Sequence, residues 1–158
     1  MKYILILLLS FTNFSFASIQ EFPTSPDPRL TPGSLCTHPD TYRYPERIPY
    51  CKRDVDTPQK QAVFELYRKK LGYTLNPNDR ESYKIDHYFP LCAGGSNDMN
   101  NLWPQHKSVY RKTDQVENYG CDKLSKGRIS QKDLITLIIK MKADPSIAPG
   151  VLEYLKKL

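Results

Sequence analysis

Residues 83–106 read YKIDHYFPLCAGGSNDMNNLWPQH, and they contain the most informative pattern in the chain. Residues 83–89 are aromatic and β-branched up to Pro90, which predicts a β-strand. A loop with two glycines follows, residues 101–105 predict a second short strand, and a helix is expected over residues 106–121. The middle of the chain is therefore predicted to be a strand–loop–strand–helix unit.

Two adjacent residues near the end of the first predicted strand carry complementary chemistry. Asp86 offers a hard carboxylate oxygen, the ligand type that Mg²⁺ prefers. His87 offers an imidazole with an ordinary pKa of about 6.5, so the ring can accept a proton near neutral pH. A metal ligand beside a general base suits the hydrolysis of a phosphodiester. The alternative is a surface ion pair between the two side chains.

The same segment resembles the HNH (ββα-metal) endonuclease family, in particular exported members with the signature D-H-x-x-P-L-x-x-G-G-S-N followed by N-L-W-P-Q. The matching letters lie within residues 85–106, and the pieces RYPE at 43–46 and CKR at 51–53 are similar to the upstream arm of the same group. The resemblance implies an α+β fold with a ββα-metal core of hairpin plus helix, flanking helices and a disulfide-tied arm.

The resemblance also implies roles for individual residues. His87 corresponds to the general base and Asp86 to a metal ligand. Asn101 corresponds to the asparagine that ties the loop together and orients the base. Asn101 could instead be an ordinary turn residue.

The remaining metal ligand is where this chain departs from the family pattern, which has a His or Asn on the helix after the second strand. His106 is the first candidate, although it stands closer to Asn101 than that ligand does, while Tyr110 has a more typical offset. Asp114 is the alternative ligand, and Glu117 is a further carboxylate on the same helix. Both carboxylates could instead be solvated or form salt bridges with nearby lysines.

Three basic residues near the start of that helix, Lys107, Arg111 and Lys112, are predicted to contact nucleic-acid phosphates. Backbone contacts carry no sequence information, so little base specificity is expected. The expected function is a secreted, metal-dependent and monomeric endonuclease acting on DNA, with RNA as a further substrate. One divalent ion is expected, Mg²⁺ first and Mn²⁺, Ni²⁺ or Zn²⁺ as alternatives. The competing function is a non-catalytic, disulfide-stapled protein that binds nucleic acid or another polyanion.

The first 17 residues predict a secretory signal peptide, because Lys2 precedes a short apolar run that ends in Ser15-Phe16-Ala17. The rest of the chain is expected to be periplasmic or secreted, without membrane attachment. Removing the signal peptide takes away one lysine and no acidic residue, so the formal charge falls from +6 to +5. A basic exported protein is biased toward polyanionic partners.

Four cysteines follow the signal peptide, namely Cys36, Cys51, Cys92 and Cys121. An even number in an oxidising compartment predicts two disulfides. Three pairings are open, and Cys36–Cys51 with Cys92–Cys121 is favoured because each pair brackets one local segment. A four-cysteine zinc site is the alternative, but no C-x-x-C pair is present.

Residues 18–56 are predicted to form an extended, proline-rich arm, because seven prolines between Phe22 and Pro49 exclude regular helix and central strand. Residues 57–158 are the predicted HNH nuclease domain, whose motif core is residues 83–121. The later part of the arm is expected to be tied to this domain rather than disordered, because it contains Tyr42, Tyr44 and Tyr50 and the cysteines Cys36 and Cys51.

Three further helices are predicted from apolar spacing and end signals. The first has Thr57 as its N-cap and stops before Gly72. The second follows Ser130 and Asp133, whose spacing resembles a capping box. The third covers residues 151–158. Trp103 is predicted to be a core residue rather than a platform for bases.

Overall fold

The computed structural model describes residues 21–79 and 81–158, so the predicted signal peptide lies outside the described residues. The described chain is α+β, with two small antiparallel sheets and four α-helices. In chain order the elements are β1 (Thr41–Arg43), β2 (Ile48–Tyr50), α1 (Thr57–Leu71), β3 (Tyr83–His87), β4 (Leu102–His106), α2 (Lys107–Ser125), α3 (Gln131–Ala143) and α4 (Ala148–Lys157).

The predicted strand–loop–strand–helix order is confirmed. Strands β3 and β4 are antiparallel, with Tyr83 opposite His106 and His87 opposite Leu102, and α2 begins at the next residue. Strand β3 ends two residues earlier than predicted. The reason is that the backbone N–H and C=O of Phe89 bond to the side chain of Asn101 instead of a strand partner.

The helix ends follow the predicted chemistry with three corrections. Helix α2 covers Lys107–Ser125 instead of the predicted residues 106–121, because His106 ends β4 and serves as the N-cap. The N-cap of α1 is Asp56 and not Thr57, because the Asp56 carboxylate accepts from the Gln59 N–H at 2.8 Å. Helix α4 starts at Ala148, three residues before the predicted start, since a proline is tolerated in the first helical turn. The Ser130–Asp133 cap of α3 is confirmed.

The proline-rich arm contains a short hairpin, β1–β2, that the sequence did not predict. Pro49 is compatible with it because both strands of a two-stranded sheet are edges. The arm also lies against the β3–β4 connection: the Cys36 N–H donates to the Gly94 carbonyl at 2.8 Å, and the Ser96 N–H donates to the Ser34 carbonyl at 3.0 Å. The arm is therefore part of the framework around the connection.

Two disulfides join Cys36 to Cys51 and Cys92 to Cys121, which are the favoured pairs. The first closes the arm on itself, and the second ties the β3–β4 connection to α2. Bridges of this kind fit an extracellular protein. Within residues 21–79 and 81–158, no helix is both long enough and apolar enough to cross a bilayer.

The buried apolar side chains form two clusters. One lies mainly among α2, α3 and α4. The other lies between α1 and the β3–β4 hairpin and includes Trp103, which is fully buried as predicted. The hairpin is thereby fixed between packed helices, and burial of these side chains supplies the main driving force for holding it there.

Candidate active site

His87 is the last residue of β3, and its side chain is almost fully buried, with 3% of the residue exposed. Its Nε2 lies 3.0 Å from Asn97 Oδ1, in the β3–β4 connection. Its Nδ1 lies 3.2 Å from a guanidinium nitrogen of Arg53, in the arm. The ring is therefore held on one side by the connection of its own hairpin and on the other side by the arm.

These contacts define the tautomer of the His87 ring. The Asn97 side-chain nitrogen donates to the Lys52 carbonyl at 2.7 Å, which turns Asn97 Oδ1 toward the ring. Nε2 must then carry the hydrogen, because Asn97 Oδ1 can only accept. Arg53 can only donate, so Nδ1 carries the lone pair. The basic nitrogen of His87 thus faces the guanidinium.

Burial keeps the His87 ring neutral. Desolvation lowers the pKa of His87 to about 4, although the hydrogen bond to Asn97 acts in the opposite direction. The nearby Arg53 guanidinium also disfavours a charged ring. Near neutral pH the side chain is therefore a neutral, oriented imidazole whose lone pair faces the Arg53 guanidinium.

Asn101 is fully buried and links the two ends of the β3–β4 connection. Its Oδ1 accepts from the Phe89 N–H at 2.8 Å, and its Nδ2 donates to the carbonyls of Phe89 at 3.1 Å and Ser96 at 2.8 Å. Gly95 packs so closely here that a Cβ on it would lie 1.9 Å from the Phe89 carbonyl oxygen. Asn101 thus ties the loop that carries Asn97.

Asp86 is also buried, but it faces a different environment from His87, as expected for neighbours in a strand. Asp86 Oδ2 accepts from Lys142 Nζ, on α3, at 2.7 Å, and Oδ1 lies 3.5 Å from Lys84 Nζ. Burial alone would raise the pKa of Asp86, but the two ammonium groups hold it below its ordinary value. Both carboxylate oxygens are therefore beside lysines.

Glu117, on α2, approaches the same ammonium group, with Oε1 3.0 Å from Lys142 Nζ. The angles of this approach do not make a hydrogen bond, and Oε1 is buried without another partner. Burial raises the pKa of Glu117 to about 7, although Lys142 opposes the shift. Glu117 thus has an ionic partner in Lys142, but its buried Oε1 accepts no hydrogen bond.

The structure places His106 away from Asp86. His106 pairs with Tyr83 at one end of the hairpin, whereas Asp86 pairs with Trp103 three residues along the ladder. His106 Nδ1 caps α2 at the Ser108 N–H, and its ring stacks on Phe22 with centroids 3.8 Å apart. His106 and Asp86 are therefore not brought together.

The other predicted site residues lie in two different places. Asp114 is near Asp86, because Lys84 Nζ lies 2.6 Å from Asp114 Oδ1 and 3.5 Å from Asp86 Oδ1. Lys107 follows directly after the hairpin end that lies away from His87, and the exposed Arg111 and Lys112 line a cavity of about 360 Å³ beside α4. The predicted phosphate contacts thus lie on a different surface from the His87 ring.

A second cavity, of about 330 Å³, lies between α1 and β3. Three basic residues line it, namely Arg53, Lys60 and Lys84. The cavity carries positive charge, and Arg53 links it to His87, which is not itself one of the lining residues.

No family model matches the chain, and no curated protein or solved structure matches it either. The resemblance to HNH endonucleases therefore rests on the residues of the motif itself.

A divalent ion does not fit the residues as they are arranged. Asp86 has an ammonium group beside each oxygen. His106 caps α2 at the other end of the hairpin, and Asp114 is paired with the same Lys84 ammonium that lies beside Asp86. In residues 21–79 and 81–158, no group of three or more His, Cys, Asp or Glu side chains could hold a metal. The predicted metal is therefore not part of the reaction that we propose for this site.

Three residues of this site were missed by the sequence analysis: Arg53, Asn97 and Lys142. Arg53 stands in the CKR piece and Asn97 ends the GGSN piece, so both were visible as matching letters without a role. Nothing in the sequence distinguishes Lys142 as a site residue, because it is one of 23 basic residues and lies 56 positions from Asp86.

Proposed function

We propose that this protein is an exported nuclease that hydrolyses phosphodiester bonds, with His87 as the general base. The observation that carries the proposal is the lone pair of His87 Nδ1 lying 3.2 Å from the Arg53 guanidinium. A neutral imidazole can take a proton from water, and a guanidinium is well suited to a phosphate. The HNH-like motif around His87 supports the same reaction.

The proposed reaction begins when a substrate phosphate draws the Arg53 donors away from His87 Nδ1. The freed lone pair then accepts a proton from a water molecule, whose oxygen attacks phosphorus in line with the 3′ oxygen. The new P–O bond forms as the P–O3′ bond breaks, and the leaving oxygen takes a proton from solvent. Arg53 offsets the charge that develops on the phosphate. A 5′-phosphate and a 3′-hydroxyl are the products.

DNA is the proposed substrate, with RNA as a second one. The basic cavity supports contacts to the phosphate backbone, because Arg53, Lys60 and Lys84 line it. We therefore propose little sequence specificity. A protein that binds nucleic acid without cleaving it is the competing function, and catalysis separates the two.

Purified, disulfide-bonded protein is expected to nick and then degrade supercoiled plasmid DNA. The assay runs in parallel with Mg²⁺, Mn²⁺, Ni²⁺, Zn²⁺ and excess chelator, on DNA and on RNA, and is read by gel electrophoresis. A preparation of the His87→Ala variant, made identically, controls for contaminating nuclease. Absence of cleavage in every condition would reject the nuclease proposal, and binding without cleavage would favour the competing function.

Arg53→Gln is expected to weaken both binding and cleavage. The variant loses one phosphate contact, so the slope of log affinity against log salt should become shallower by about one. Arg111→Gln is the matched control, because Arg111 lies on the basic surface that the sequence predicted. If Arg111→Gln reduces cleavage more than Arg53→Gln does, then the nucleic acid binds along helix α2 and not in the cavity that Arg53 lines.

A further inference from the structure

Lys142 is a fully buried lysine near the end of α3. A buried charge is costly unless it is paired and hydrogen-bonded. Its Nζ donates to Asp86 Oδ2 at 2.7 Å and to the backbone carbonyl of His87 at 2.5 Å, and it lies 3.0 Å from Glu117 Oε1. The ammonium thus lies among three oxygens from β3 and α2, and it donates hydrogen bonds to two of them, Asp86 Oδ2 and the His87 carbonyl.

Asp86 is buried and Glu117 is largely buried, and their carboxylates converge on the Lys142 ammonium. Without Lys142, only the Lys84 ammonium, 3.5 Å from Asp86 Oδ1, would offset the two negative charges, and their repulsion would favour protonation of one carboxylate. One or two carboxylates are also what proteins commonly use to hold Mg²⁺. The Asp86 and Glu117 carboxylates therefore form a site suited to a cation. The cation that fills it is the Lys142 ammonium of the same chain.

We propose that Lys142 is a built-in cation that holds the position predicted for a divalent metal ion. The ammonium neutralises Asp86 and fixes the carbonyl of His87, so Lys142 acts as a positioning residue for the end of β3. It does not touch the substrate, because its side chain has no exposed surface. Divalent metal is excluded from the wild-type site since Lys142 Nζ fills it.

This inference deepens the proposed nuclease function, but its test does not need nuclease activity. Binding of Mn²⁺ can be counted by electron paramagnetic resonance, and its effect on thermal unfolding can be measured in the same samples. Failure of the plasmid assay would therefore leave the inference standing, and failure of the metal test would leave the nuclease proposal standing.

The wild-type protein is expected to bind no Mn²⁺ stoichiometrically and to unfold at the same temperature in Mn²⁺ and in chelator. Lys142→Met removes the charge, keeps an unbranched apolar chain and opens the carboxylate pair. This variant is expected to bind one Mn²⁺ per chain and to unfold at a higher temperature when Mn²⁺ is present. Adding Asp86→Asn and Glu117→Gln should abolish the gained site. Lys140→Met, at an exposed position on the same helix, should behave as wild type.

Three results would overturn the inference. The first is stoichiometric Mn²⁺ binding by the wild-type protein that is lost in Asp86→Asn. The second is a folded Lys142→Met variant that binds no Mn²⁺. The third is a Lys142→Met variant that folds neither in chelator nor in Mn²⁺. If that variant folds only when Mn²⁺ is supplied, the metal replaces the missing ammonium and the inference is supported.

Discussion

Replacing His87 with alanine is expected to reduce the rate of DNA cleavage by about 10² to 10⁴, because a positioned general base contributes about that much. In the proposed reaction the proton of the attacking water then has no acceptor, while the basic residues proposed to contact phosphate are still present. Binding of DNA should change little, so the loss should appear in kcat rather than in KM. Single-turnover cleavage and fluorescence anisotropy measure the two effects separately.

His38→Ala is the matched control, since His38 is an exposed histidine in the arm. It should leave the rate unchanged. Thermal unfolding of both variants checks that each is folded. A His87→Ala protein that cleaves DNA as fast as the His38→Ala protein would show that the base is another group.

The His87 substitution should also change the response to pH. Burial lowers the pKa of His87 to about 4, so the ring stays neutral and wild-type cleavage should persist down to about pH 5. Folding favours the neutral ring, so the stability that His87 contributes is complete above the ordinary pKa of about 6.5 and is lost as the pH falls toward the folded value. His87→Ala should remove that part of the acid destabilisation.

The sequence predicted the hairpin and the helix after it because their signals are local. The aromatic and β-branched run, the end of the strand at Pro90 and the two glycines of the loop are each recognisable within a few residues. The short hairpin in the arm was missed because each strand is only three residues long and Pro49 is among them. Asp56 was missed as the cap because Asp and Thr are both good caps and stand side by side.

The site was predicted only in part, because its geometry depends on long-range contacts. His87 and Asn101 lie in one local motif, and the structure brings them into one loop and strand end. Arg53 reaches the ring only because the disulfide-tied arm folds over the hairpin. Lys142 reaches Asp86 only after α3 has packed against α2. No spacing rule connects residues so distant in sequence.

Asn101→Ala is expected to destabilise the protein by about 3 kcal/mol or more, because each buried backbone group left without a partner costs about 1–3 kcal/mol. The variant leaves the partly buried N–H and C=O of Phe89 and the buried carbonyl of Ser96 without their side-chain partner. Typical domains are stable by about 5–15 kcal/mol, so this loss is a large share of the total. Urea unfolding with a shared slope measures it.

Asn100→Ala is the matched control, because Asn100 is the exposed neighbour and its side chain accepts a single bond, from Ser34 Oγ at 2.7 Å. It should cost less than about 1 kcal/mol. Equal unfolding midpoints for the two variants would mean that Asn101 does not hold the loop. Where Asn101→Ala stays folded at low temperature, cleavage should still fall, because the loop that places Asn97 against His87 Nε2 is no longer fixed. Loop stability and orientation of the base would then be lost together, which links the buried asparagine to catalysis without any contact with the substrate.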